Sequence, residues 1–231
     1  RYTYSPQGWL RTITDPKKIV FLTNEYDPAG RVIRQTQADG RGWTFAYTLT
    51  GGAITQTVVT DPRGNPTTHR FTGQGYPLSL TDARGQTTTY TRDPATHQLL
   101  ATTDPLGRVT RFGYDAQGNV TTITDPLGNV RRFTYEPTFH QVTSSTDPLG
   151  HRTTFAYDAQ GNLVAITDPL TNTTTFTYDP FGQVRSTTDP LGNTTRFEYD
   201  AVGNLVAVVD PLGHRTQRSY DAVARLVAQT D

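Results

Sequence analysis

Runs of about six residues alternate with clusters of turn formers along the chain, and within the runs the apolar positions recur with period two. In Thr194-Thr195-Arg196-Phe197-Glu198-Tyr199, the side chains of Thr195, Phe197 and Tyr199 share one face, while Thr194, Arg196 and Glu198 share the other. That is the pattern of a half-buried strand. The run after the next turn, such as Leu163-Val164-Ala165-Ile166-Thr167, alternates less cleanly. Leu163 and Ile166 have opposite parity, which predicts either a β-bulge or two buried faces.

The punctuation is periodic. Asp-Pro recurs at Asp104, Asp125, Asp147, Asp168, Asp189 and Asp210, with gaps of 21, 22, 21, 21 and 21. Asp82 and Asp61 extend the series backward by 22 and 21; Asp39 lies 22 before Asp61, but Asp15 lies 24 before Asp39. About ten units cover residues 1–231, divergent over 1–60 and regular over 61–231. Asp-Pro-Leu-Gly has the residues of a type I turn. Asp115-Ala-Gln-Gly118-Asn119 suits a hairpin loop of three to five residues with Gly in the left-handed position, so valine at Gly118 or Gly161 should destabilise it. The 22-residue units insert one residue into this second loop, at Asp93–Leu99 and Glu136–Val142, which places the insertion at a solvent-facing tip.

Two tight turns per unit leave no room for a crossover helix. The expected fold is all-β: a repetitive antiparallel hairpin meander of about twenty strands. A ribbon roughly 95 Å wide cannot stay flat, so it should curl into a wall. A β-propeller is the rival, since two units make one four-stranded blade.

Composition sharpens this picture. Threonine accounts for 44 of 231 residues, beside 20 Gly and 15 Pro, which favours strands and turns over helices. The 21 basic and 21 acidic side chains cancel, which removes the electrostatic argument for nucleic acid or an anionic membrane. No cysteine is present, which excludes disulfides, thiolate metal sites and a cysteine nucleophile. No run approaches 18 apolar residues, so no transmembrane segment is expected.

Repetition also governs the candidate chemistry. Tyr114, Tyr135, Tyr157, Tyr178, Tyr199 and Tyr220 form one column, and Phe112, Phe133, Phe155, Phe176 and Phe197 another. They are expected to supply burial to a threonine-rich chain; the competing reading is a platform for sugars. The Asp column is explained by turn chemistry better than by calcium. His151 and His214 share a repeat position about 29 Å apart, His97 and His140 another about 19 Å apart, and His69 is alone, so turn or surface roles are expected. No GxSxG, HExxH, P-loop or GxGxxG motif occurs. The sequence therefore nominates no catalytic, cofactor-binding or metal-binding residue, no cofactor, and no enzyme.

Units such as DPLGNTTRFEYDAVGNLVAVVDPLG and DPLGHRTTFAYDAQGNLVAITDPLT closely resemble the YD repeats of bacterial Rhs proteins. Related repeats occur in the C components of insecticidal toxin complexes and in teneurins. The resemblance covers essentially the whole chain and is most specific from Asp82 onward. It implies a spiral β-sheet that closes into a hollow shell around a C-terminal toxin, in a protein used in interbacterial competition. It also implies, as partners, that toxin cargo, the remaining shell repeats and secretion-system delivery proteins, and a secreted, delivered or cell-surface location. The family's aspartyl autoprotease segment has no match here. The chain starts inside a unit and ends at Asp231, where the next Asp-Pro is due, so it is expected to be a fragment of a larger protein. The alternative function is a carbohydrate- or cell-surface-binding module.

Overall fold

The computed structural model describes residues 1–231 and contains 22 β-strands and no helix. The chain divides into two units, Arg1–Phe112 and Gly113–Asp231. In the first, each strand from β1 (Tyr2–Tyr4) to β11 (Val109–Tyr114) pairs antiparallel with the next. In the second, the same holds from β12 (Val120–Thr124) to β22 (Leu226–Thr230). Pairing never breaks after four strands within either unit, which rules out propeller blades there.

The two turn classes expected from sequence are one structure. In the Asp125 turn, the Gly128 amide donates to the Asp125 carbonyl at 3.0 Å and the Asp125 amide to the Asn129 carbonyl at 3.0 Å. In the Asp158 turn, Gly161 and Asn162 take the same places, at 3.1 and 2.9 Å. Each is a type I turn whose fourth residue takes a positive φ. Of the residues that hold this position, Thr171 (φ 70°) is β-branched and bears the largest strain. Thr171→Gly is therefore expected to raise stability by about 1 kcal/mol, strain relief exceeding the added freedom of the unfolded chain. Gly161→Val should lower it by more, because φ is 84° and a Cβ there meets the Phe139 ring at 3.1 Å. Thermal melts of the two variants shifting in the same direction would contradict this assignment.

Strand parity resolves through a bulge. Between β15 (Arg152–Tyr157) and β16 (Leu163–Thr167), Phe155 faces Ile166 and Ala156 faces Ala165, but Tyr157 faces Leu163. Val164 is the extra residue, and it returns Leu163 to the face of Ile166, Phe155 and Tyr157. The Asp-Pro side has no such shift: Thr167, Ile166 and Ala165 face Thr173, Thr174 and Thr175 in plain register.

Two expectations need correction. The turn position assigned to Asp39 belongs to Gln37: the Gly40 amide donates to the Gln37 carbonyl, and Asp39 sits two residues into the turn. The register therefore slips further on, where the long strands β5 (Gly42–Thr50) and β6 (Ala53–Thr60) meet at Gly51-Gly52. The aromatic columns also do not form a closed core. Every Phe and Tyr named above is only half-buried, and no large side chain is fully buried. Ala207 is the one buried hydrophobic residue, beside the buried polar Asn24 and Ser144. The accessible surface is 15232 Å², against roughly 10,000 Å² for an ordinary folded monomer of this mass. The physical reason is that neither unit lays a second layer on its sheet.

Candidate functional site

The repeated groups act mainly on their own hairpins. In the Asp125 turn, carboxylate Oδ1 accepts from the backbone amides of Leu127 (2.8 Å) and Asn129 (2.9 Å), and Oδ2 accepts from Asn129 Nδ2 (2.7 Å). Asp158, Asp168 and Asp189 repeat the pattern. The Asn side-chain amide, with the backbone amides and against a smaller opposing effect of burial, holds these carboxyls below the usual aspartate range. Both oxygens of each carboxylate are thus already engaged.

The histidines divide between two turn roles. His151 and His214 take the Asn place, with Nδ1 at 2.9 Å from Asp147 Oδ2 and 2.7 Å from Asp210 Oδ2. His97 and His140 sit at positive φ, 60° and 57°, in the two longer loops. Each reaches back one repeat: the His97 ring stacks on Tyr76 at 4.5 Å, and His140 Nδ1 lies 3.2 Å from Asn119 Nδ2. His69 lies over Phe71, with ring centroids 6.4 Å apart.

The tyrosine column does something no spacing announces. The hydroxyl of Tyr157 donates to the carbonyl of Val142 at 2.9 Å, and that of Tyr178 to Leu163 at 2.8 Å. Tyr47, Tyr135 and Tyr220 reach Val32, Val120 and Leu205 in the same way, each fifteen residues back. These carbonyls lie where the bulge disturbs the ladder, so each tyrosine ties its repeat to the one before. Burial, with the charge of the preceding turn acid, pushes the hydroxyls of Tyr135, Tyr157 and Tyr178 upward in pKa.

One cleft stands out in the second unit. It measures about 720 Å³ and is lined by Phe181, Phe197, Tyr199, Arg185, Glu198 and Val202, among others. The Phe181 ring is 90% exposed. Glu198 is held on one side by Arg215, whose Nη2 lies 2.7 Å from Oε2. Three aromatic rings beside polar side chains suit a ligand with an apolar face and hydrogen-bonding edges. No residue there is paired as nucleophile and base.

The fold has relatives among solved structures. A chain of the Tc holotoxin pore of Photorhabdus luminescens, carrying a TccC3 mutation, matches at a TM-score of 0.71 and 16% identity over 99% of this chain. A chain in the crystal structure of TcdB2-TccC3-Cdc42 matches at 0.72 and 16% over the same share. This chain spans 15% of each of those chains. No curated protein matches it. The RHS Repeat family model matches residues 26–51 and then, in overlapping copies, 93–130, 114–152, 137–173, 157–194, 178–213 and 199–231. These matches fall on the Asp turns, the bulged hairpins and the tyrosine ties described above, and by them the chain belongs to the RHS repeat family.

Proposed function

We propose that this chain is a stretch of wall in a hollow β-shell, which encloses a C-terminal toxin polypeptide until delivery into a competing bacterial cell. The observation that carries the reading is the shortage of burial. A sheet with one buried hydrophobic residue and no second layer is poorly suited to stand as an ordinary domain. It is well suited to partition one compartment from another. Membership of the repeat family and the likeness in fold to Tc toxin chains support the same reading. The wall acts by exclusion and not by chemistry, since most of its acids and four of its five histidines are committed to turns. Delivery by a secretion system and a secreted location belong to this proposal.

The test is limited proteolysis of the full-length protein. The cargo is expected to survive protease while the wall is intact, and to be cut once Tyr157 and Tyr178 are both replaced by Ala. A cargo that was never protected, or that stays protected in a clearly destabilised double variant, overturns the reading. The half-open aromatic rings and the cleft at Phe181 and Phe197 favour a second reading, a carbohydrate-binding surface. Oligosaccharide binding that is lost in Phe181→Ala and Phe197→Ala would support it.

A further inference from the structure

The third residue of each turn that joins an even-numbered strand to the next odd one points away from the hairpin. In the second unit it is always leucine: Leu127, Leu149, Leu170, Leu191 and Leu212, with exposures of 79–87%. Their backbone amides are fixed by the turn aspartates at 2.8–2.9 Å, but the side chains contribute nothing to the turn. Turn chemistry does not demand leucine here. In the first unit the same position holds leucine once, at Leu106, but Lys17, Asp39, Arg63 and Arg84 in the other turns, which are equally well formed. All five leucines lie on one end of the strands, because these turns always join an even-numbered strand to the next odd one. Two strand spacings separate successive leucines, so the row runs about 38 Å with a knob every ~10 Å. An exposed prolyl ring precedes each leucine. The polar neighbours Asn129, His151, Asn172, Asn193 and His214 are tied to their own turn aspartates.

We propose that this row is a dimerisation ridge and that its occupant is the same ridge of a second copy of the chain. An occupant that covers every leucine must itself be apolar and repeat at ~10 Å. The ridge meets that condition by construction when two copies face each other across a two-fold axis. The opposite end of the strands meets it less well, since only the last three turns there carry the exposed Phe181, Val202 and Val223, and Gln117 and Gln160 hold the position in earlier ones. Five leucines at about 100 Å² each, with their prolines, approach the ~800 Å² per partner of a standard interface. A regular row of exposed leucines of this length is unusual on a protein that stays alone. The inference is independent of the shell reading.

Absence of cysteine from the sequence makes the test clean. In a two-fold contact, the central Leu170 faces its own copy, and Leu127 faces Leu212. The 231-residue chain is expected to be dimeric by sedimentation equilibrium at tens of micromolar. Under mild oxidation Leu170→Cys should cross-link to itself. Leu127→Cys should cross-link in a mixture with Leu212→Cys but not alone. Replacing all five leucines with Arg, the residue two first-unit turns carry, should yield a monomer with an unchanged circular dichroism spectrum. A monomeric wild type overturns the proposal, and so does a dimer that survives the five substitutions. Dimer loss on Phe181→Gln, Val202→Gln and Val223→Gln assigns the contact to the other end and equally overturns it. If the Arg variant fails to fold, the cross-linking pattern decides alone.

Discussion

Replacing Tyr157 and Tyr178 together with alanine is expected to remove about 5–7 kcal/mol of stability, a large part of what a typical domain possesses. A fully buried aromatic truncated to alanine costs about 3–5 kcal/mol. These rings are half-buried, so roughly half of that is assigned to the ring. Loss of the hydroxyl bonds to the Val142 and Leu163 carbonyls adds about 1 kcal/mol each. Tyr157→Phe and Tyr178→Phe separate the contributions: each should cost only about 1 kcal/mol. Urea titrations of the three variants read the result. If the alanine pair costs less than about 1 kcal/mol in total, the column does not hold the repeats together. If the phenylalanine variants cost as much as the alanine ones, the bond to the carbonyl and not the ring is the tie.

Acid should unfold the array through its turns. Fourteen aspartates have carboxyls held below the usual aspartate range. A depressed folded-state pKa means that the unfolded chain binds protons first as pH drops. The associated stability is complete above the unfolded value and is lost as pH falls through the folded values. The expected result is a melting temperature nearly flat from pH 7 to 5 that drops steeply below pH 4, with uptake of several protons on unfolding. Repulsion among the 21 basic side chains acts in the same pH range, but added salt screens it. A drop that persists in 0.5 M salt belongs to the turns. A melting temperature unchanged between pH 5 and 2.5 would show that the carboxylates do not stabilise the hairpins.

The hairpins were legible because their causes are local. Asp, Pro and Gly determine a turn within four residues, and the parity conflict between Leu163 and Ile166 announced the bulge that Val164 supplies. Where the side chain departs from the rule, the pattern misled: Gln37 starts a turn without an aspartate, so Asp39 drew the register to itself. The tyrosine tie left no sign in the sequence, because its acceptor is a backbone carbonyl that any residue carries. The openness of the aromatic face was equally hidden. Period two tells which residues share a face, not whether anything covers it. The leucine ridge was written in every Asp-Pro-Leu turn, yet only the exposures separate it from a core.

The tyrosine tie reaches one repeat back and no further, and within each unit strands touch only their immediate neighbours in sequence. Assembly therefore requires no distant segment to arrive before a repeat can be completed. Each hairpin can be added to the last as the polypeptide emerges from the ribosome or from a narrow export channel, with loop closures of some twenty residues throughout. The same locality bears on inheritance. Gain or loss of one whole unit by unequal recombination leaves every donor opposite its usual acceptor, whereas a deletion of ten residues would strand a tyrosine from its carbonyl. Such a gene can change length in steps of one repeat while each intermediate remains foldable.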